Sequence, residues 1–416
     1  MKAAAALFGL LATASAAAVN QKVTYDGYKV FRIPSANKDH AAKLEKVTEQ
    51  LGLQPWQTPY KTGTYSDVAV PPAQLAKFHE LIDHMGPIVM HEDLGSAIAQ
   101  EGNHAVYAAG SANASWFDSY HSYKDHLTFL SDLQAKYPSN SEIVTSGKSA
   151  AGNAITGLHI YGKNGKGKPA VVFHGTVHAR EWIGTMVNEY ILYNILTGYG
   201  TDNTYLDKYD FYIFPVVNPD GFIYTQTNDR MWRKNRVANT GSNCAGTDLN
   251  RNWPYKWDGQ GSSTNPCSET YRGASAGSSV ENKALTGWLS NLKKTQSVKL
   301  YIDWHSYSQL FMSPYGYSCT ALPGNNAEVQ QMLKGAVEAI RDVHGTSFDY
   351  GPICSTIYAA AGNSVDWTSD VLGSTYNFAI ELRDTGNYGF VLPPDQIVPS
   401  GEESYAGIRY VLDNMK

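Results

Sequence analysis

An α/β fold in two parts is predicted for this chain: a large mixed-sheet α/β/α unit preceded by a small α+β unit. Three observations predict it. Through the last roughly 300 residues, apolar strand-like runs alternate with longer runs of helical periodicity, the pattern of an α/β layer structure. Residues 19–112 hold a shorter alternation of their own, closed by a stretch rich in Ala, Gly, Ser and Asn that reads as an exposed connector. A hydrophobic content of 43% with 28 Tyr in 416 residues suffices for more than one buried core.

The elements follow in order. Residues 1–18 run from a single Lys2 through a small-apolar stretch to Ala16-Ala17-Ala18, which reads as a secretory signal peptide. A membrane anchor is the alternative, but the stretch is short, Ala-rich and lacks stop-transfer charges. In residues 19–112 an extended Tyr28–Ile33 leads into a helix over Lys38–Leu51, where Ala42, Leu44, Val47 and Leu51 recur at helical spacing. An extended stretch Tyr60–Val70, an amphipathic run Ala73–Met85 and a strand at Ile88–Met90 complete that unit. In residues 113–416 the strands are expected at Ala170–His174, Phe211–Val217, Lys299–Trp304 and Asn377–Leu382. Helices are expected at Trp182–Leu196, Glu281–Lys294, Glu328–His344 and Tyr405–Met415.

Composition narrows the partners. A formal charge of -5, charged residues at 17% and no basic run exclude a nucleic-acid surface, and no stretch after the leader is long and apolar enough for a membrane. A secreted, extracellular protein acting on a peptide or small molecule is expected. The cysteines are Cys244, Cys267, Cys319 and Cys354, an even number without C-x-x-C spacing, which suits two disulfides in an oxidising compartment and not a cysteine metal site. Three pairings are open on the sequence alone. Asn113-Ala114-Ser115 is a glycosylation sequon.

The chemistry-bearing residues gather at predicted strand ends. His178 and Glu181 form an H-x-x-E pair just beyond 170–174, and His305 closes 299–304. Two imidazoles and one carboxylate are a common ligand set for catalytic zinc, because three protein ligands leave the fourth tetrahedral position open. With 12 His and 38 acidic residues that spacing also arises by chance, so its surroundings must decide. In open α/β sheets ligands collect beyond the carboxyl ends of strands, where His178, His305 and Glu381 all fall. Glu381 interrupts the apolar run Phe378–Leu382 and would be costly to bury without a task or a partner. A salt bridge to Arg383 is the competing explanation.

Seven segments in one order settle which family this pattern resembles: PAVVFHGTVHAREW (169–182), NPDG (218–221), RMWRKNR (230–236), DLNRNW (248–253), CSETYRG (267–273), HSYSQ (305–309) and ELRDTGNYGF (381–390). Together they resemble the secreted zinc metallocarboxypeptidases of the A/B type, in register from about Tyr120 to the C-terminus. The resemblance implies one Zn²⁺ per chain held by His178, Glu181 and His305, with Asp248 behind His178 fixing its ring and tautomer. A turn or capping role is the plainer alternative for Asp248. It implies Glu381 as general base toward zinc-activated water, and Arg233 as the donor that stabilises the oxyanion. Asn250, Arg251 and Tyr358 match positions that bind a substrate's terminal carboxylate, which a guanidinium grips with two parallel hydrogen bonds. Arg180 and Tyr307 match positions in substrate contact farther from the cut.

The same alignment places Val365 at the floor of the specificity pocket, where the B-type branch carries an acid. Apolar or aromatic C-terminal residues are therefore expected, with Met312, Gly316, Ile353 and Ala379 shaping the wall. Asp366 is adjacent, and a slip of one residue would reverse this expectation. The resemblance further implies the pairing Cys244–Cys267, a bridge in some members at Cys319 and Cys354, and cis peptides at Ser306-Tyr307, Pro314-Tyr315 and Arg383-Asp384. It makes residues 19–112 an activation propeptide, removed by an activating protease that cuts in the connector from Glu101 to Asn113. Peptide or protein C-termini are the expected substrates and a monomer the expected state. Two other readings compete: a carboxypeptidase-like peptide-binding protein without activity, and an esterase or endopeptidase using the same metal chemistry. The first usually lacks a ligand, base or clamp residue, and the second has no use for a carboxylate clamp.

Overall fold

The computed structural model describes residues 22–58, 63–102 and 106–416. The leader expected at 1–18 and the start of the extended stretch at 60–62 lie outside the described residues. Two sheets organise the chain. The smaller is antiparallel and ordered β2-β3-β1-β4, from β1 (Lys29–Ser35), β2 (Pro55–Gln57), β3 (Thr64–Val70) and β4 (Ile88–His91). Phe31, Ile33, Val68 and Val70 pack with Leu44 and Val47 of the helix Lys38–Leu51 and with Phe78 and Ile82 of the helix Leu75–Ile82. The Asn37 side chain accepts the His40 N–H to start the first of these helices, and Gly52, at φ 62°, ends it in the left-handed conformation that favours glycine.

The larger sheet has eight strands ordered β11-β10-β12-β9-β7-β8-β6-β5. In chain order these are β5 (Ser141–Lys148), β6 (Ala154–Ile160), β7 (Ala170–Gly175), β8 (Asp210–Phe214), β9 (Val298–Ser306), β10 (Leu310–Ser313), β11 (Asp349–Pro352) and β12 (Tyr376–Leu382). The central run β12-β9-β7-β8 is parallel, while β6 and β5 on one side and β10 on the other join antiparallel. The sheet is mixed, as expected.

Both faces of its centre are covered, which is why these strands read as nearly unbroken apolar runs. Val171, Phe173, Leu300, Ile302, Trp304, Phe378 and Ile380 share one core with the helices Trp182–Thr197, Asn326–His344 and Ile397–Asn414. The alternate residues Ala170, Val172, Tyr301 and Ala379 share the other with Leu285 and Leu289 of the helix Val280–Lys293. Full burial of each large apolar side chain contributes about 1.5–3 kcal/mol, so this alternation fixes the register firmly. It also decides where the polar residues go: Asp303 and His305 follow Tyr301 on the second face.

Two expected boundaries of the larger unit move by three residues or more. β8 stops at Phe214 and not at Val217, because Pro215 has no N–H to continue the ladder. The last helix begins at Ile397 and not at Tyr405. Cys244–Cys267 and Cys319–Cys354 are both bonded, and the peptides Ser306-Tyr307, Pro314-Tyr315 and Arg383-Asp384 are cis. The smaller unit lies against the larger through Val30, Trp56 and Leu94, which cluster with Met231, Tyr307 and Phe390. Among the described residues no helix is long and apolar enough to cross a membrane.

Candidate active site

The turn after β7 carries His178 and Glu181 to the start of the helix Trp182–Thr197, while β9 carries His305. The Glu181 carboxylate lies between the imidazoles: Oε1 is 2.8 Å from His178 Nδ1 and Oε2 is 3.0 Å from His305 Nδ1. The two Nδ1 atoms are 3.1 Å apart. These three residues are the group of acids, histidines or cysteines close enough to share one ion among the described residues, and all are buried. Ligands at zinc bond lengths of about 2.0–2.2 Å in tetrahedral array stand about 3.3 Å apart, close to the separations here. Two nitrogens and a carboxylate oxygen facing one point, each ring turned to it through Nδ1, fit zinc. Burial would raise the Glu181 pKa, but His178 and His305 outweigh it and hold the carboxyl well below its ordinary range.

Asp248 both touches His178 and heads a turn. Its Oδ1 accepts the Asn250 N–H at 2.9 Å at the head of the turn 249–251, and the same oxygen is 3.1 Å from His178 Nε2. Its Oδ2 accepts from Arg233 Nη2 at 2.9 Å and Nε at 3.2 Å. Although burial opposes ionisation, Arg233 and His178 hold Asp248 well below the usual carboxylate range, and the pair likewise raises Arg233. Arg233 Nη1 is also 3.9 Å from Glu181 Oε1, so the guanidinium borders the ligand group through fixed carboxylates.

Glu381 stands opposite His305 in the β12–β9 register and keeps partial exposure. No hydrogen bond or ion pair engages it among the described residues, and Arg383 instead binds Glu403 with two contacts of 2.7 Å. Burial, reinforced by the nearby Glu181 carboxylate, pushes the Glu381 pKa up despite His305. The carboxyl thus stands desolvated beside the metal-ligand set, with no structural partner among the described residues.

Arg251 donates through Nε to the Gly261 carbonyl at 2.7 Å and through Nη1 to the Asn250 carbonyl at 2.9 Å, with the Tyr358 ring 5.7 Å from its carbon. The Asn250 side chain faces inward, its Nδ2 3.1 Å from His305 Nε2 and its Oδ1 accepting the Ser364 N–H. Val365 is 1% exposed and shares a cluster with Met312, Ile353, Ile357, Ala360 and Ala379. The Asp366 carboxylate turns elsewhere, accepting the Gly316 and Tyr317 N–H groups at 2.9 Å and the Asn363 amide at 2.7 Å. Gly316 itself is packed so closely that an added Cβ would meet Asn363 Nδ2 at 2.6 Å and the Ala360 carbonyl oxygen at 2.9 Å.

Arg180 and Tyr307 lie where the smaller unit covers the cleft. Arg180 is 3.2 Å from Glu269, with its carbon 4.2 Å from the centre of the Phe390 ring. The Tyr307 hydroxyl donates to Asp67 Oδ2 at 2.6 Å, and Arg32 clasps both oxygens of the same carboxylate. Glu101 reaches across to Arg230 with two contacts of 2.6 Å, both partners buried. Asp67, Glu101, Glu269 and Asp303 are the participants that sequence reasoning passed over. Asp303 alone carried a usable signal: an acid in the apolar run YIDWH, two residues before His305 and so on the same face of the strand.

Comparison with known proteins meets the same two units. A family model described as zinc carboxypeptidase matches residues 126–407, and one described as carboxypeptidase activation peptide matches residues 31–101. The chain is similar to a metallocarboxypeptidase A-like protein of Trichophyton verrucosum, 51% identical over 98% of each chain, and to carboxypeptidase B of Bos taurus, 38% identical over 93% of each. Among solved structures, thrombin activatable fibrinolysis inhibitor superposes with a TM-score of 0.86 at 30% identity, covering 93% of this chain and 98% of its own.

Proposed function

This chain belongs to the zinc carboxypeptidase family and is a zinc-dependent metallocarboxypeptidase with an attached activation peptide, a premise from which we propose that it removes apolar or aromatic C-terminal residues. The observation that carries the reading is the convergence at one point of His178, Glu181 and His305, with Glu381, unpartnered among the described residues, beside His305 and Arg233 near Glu181.

Zinc, when bound by His178, Glu181 and His305, supplies Lewis-acid activation of water and of the scissile carbonyl. The remaining work falls to the chain. Arg251, Asn250 and Tyr358 hold the terminal carboxylate of the peptide, which makes the cut exopeptidic. The last side chain enters the cluster floored by Val365, where an ammonium or guanidinium would lack a counter-charge, since Asp366 is spent on backbone N–H groups. Glu381 accepts a proton from the attacking water as its oxygen bonds to the carbonyl carbon. Arg233 stabilises the charge that gathers on the carbonyl oxygen. The C–N bond then breaks as Glu381 passes the proton to the departing amine, leaving the shortened peptide and a free amino acid.

We place the signal peptide at residues 1–18, the activation propeptide with its connector at 19–112 and the catalytic domain at 113–416. The presence of two disulfides supports an extracellular site of action. Packing narrows the activating cut: Glu101 is held by Arg230, while the Tyr107 hydroxyl already donates to Asp132 of the larger unit at 2.8 Å. Cleavage by the activating protease belongs between those anchors, where Val106 is 92% exposed. The activated enzyme is a monomer and binds no nucleic acid.

The test is hydrolysis of a peptide panel differing only in the last residue, by activated protein with and without a chelator. Release of C-terminal Phe, Tyr, Leu, Ile or Met that a chelator abolishes is expected. Faster release of Lys or Arg, or cleavage of a C-terminally amidated peptide at the free-acid rate, overturns the reading.

A further inference from the structure

One ligand histidine has a second carboxylate at its back. Asp303 Oδ1 is 3.1 Å from His305 Nε2 and 3.3 Å from Nε2 of His174, its neighbour across the β7–β9 register. The other oxygen, Oδ2, accepts the Ser364 hydroxyl. Asp303 and Ser364 are fully buried, and His174 and His305 are each 2% exposed.

The hydrogen-bond roles around His305 Nε2 can be worked out. A ring that turns Nδ1 toward the ion position carries its proton on Nε2, and that N–H needs an acceptor. Asn250 touches Nε2 at 3.1 Å, but the Ser364 N–H donates to Asn250 Oδ1 at 3.0 Å and so fixes which end of the amide faces His305. The facing end is Nδ2, a donor, which cannot accept. Asp303 Oδ1, 3.1 Å away, is the remaining acceptor within reach, and it is a buried oxygen with no aligned hydrogen bond to any group among the described residues.

We propose that Asp303 is a positioning residue that fixes the tautomer and orientation of His305 for the metal and, through Ser364, ties that ligand to the loop bearing Asn250's partner and Val365. A chain of three contacts follows: His305 to Asp303, Asp303 to Ser364, and Ser364 to Asn250. Asp248 behind His178 is bound to Arg233 and so couples its histidine to the oxyanion side of the site. Asp303 couples the other histidine to the side that holds the terminal carboxylate and the apolar side chain. The two carboxylates therefore tune different halves of one centre. This rests on the reading of His178, Glu181 and His305 as the ligands.

The experiment measures zinc affinity of the intact chain by chelator competition, with thermal midpoints recorded alongside, for Asp303→Asn, Asp303→Ser, Ser364→Ala and His305→Asn. Loss of an outer carboxylate typically costs about 10- to 100-fold in metal affinity, so either folded Asp303 variant is expected to fall by that factor. Ser364→Ala keeps the acceptor on His305 and is expected to hold zinc within about threefold of the parent, yet, once activated, to raise KM for a free-acid peptide more than it lowers kcat. A folded Asp303 variant with parental zinc affinity overturns the proposal. Stoichiometric zinc retained by His305→Asn overturns the ligand reading beneath it instead.

Discussion

Glu381 on β12 faces His305 on β9 across a parallel ladder, so the proposed base and a metal ligand are neighbours fixed by sheet register and not by a loop. Because Glu381 has no other bond to satisfy, its removal should cost chemistry and little else. Glu381→Gln is expected to lower kcat by about 10²- to 10⁴-fold, the usual contribution of a positioned acid–base group, with zinc content and thermal midpoint unchanged. Single-turnover kinetics beside metal analysis checks this; parental rates would remove Glu381 from the mechanism.

Val365 and Asp366 are adjacent in sequence but opposite in environment, one among apolar side chains and the other receiving backbone N–H groups. An Asp at 365 would be buried without a donor unless the substrate brought a cation. Val365→Asp should therefore shift the Lys-to-Phe ratio of kcat/KM by about 10²-fold toward Lys, since a buried unpaired charge costs about 2–5 kcal/mol. Its thermal midpoint should also fall. Unchanged selectivity in a folded variant would mean that residue 365 does not line the pocket.

How much could be read from the chain depended on burial. β7, β9 and β12 are covered on both faces, so their apolar runs were visible. β5 and β6 were not predicted: β5 lies at a sheet edge and has only the adjacent Ile143 and Val144 as apolar residues, and such a strand carries little periodic signal. β10 and β11, four residues each, are too short to show a period. The last helix was missed at its start because Pro399 and Gly401 dilute its first turns, although proline is tolerated there. For the site, His178, Glu181 and His305 were legible because motif and strand end coincide. Glu269 and Glu101 were not, because each meets its arginine across a long sequence separation. Asp303 was within reach of the reasoning applied to Glu381, an acid on an apolar strand.

Metal removal should make stability fall as pH rises. In the metal-free protein Asp303 and Glu181 hold His305 protonated well above its ordinary pKa despite burial. A histidine raised in this way contributes stability that is fully present below its unfolded value of about 6.5 and lost as pH rises through its folded value. The chelated protein should thus lose thermal midpoint from pH 6 to pH 9. Zinc must displace that proton, so the increment in midpoint caused by zinc should grow over the same range. Calorimetry with and without chelator checks both signs, and in His305→Asn the decline in the chelated protein should flatten. A chelated parent that gains stability with rising pH would contradict the assignment.

Glu101 and Arg230 form the contact by which the end of the activation peptide grips the catalytic unit. Arg230 also donates to the carbonyls of Arg180 at 2.9 Å and Phe390 at 2.8 Å and lies over the Trp182 ring, so it stays anchored whatever happens at residue 101. Breaking one side of a buried ion pair costs about 3–5 kcal/mol. Glu101→Gln keeps size and one acceptor but leaves the guanidinium unneutralised, and the cost falls on docking of the peptide and not on the catalytic core. The uncut variant should therefore show turnover of a small peptide at least about 10²-fold above the uncut parent, while the activated forms, which have lost residue 101, turn over alike. Equal silence of the two uncut chains would show that Asp67 on Tyr307 and Trp56 on Phe390 hold the cover without this pair.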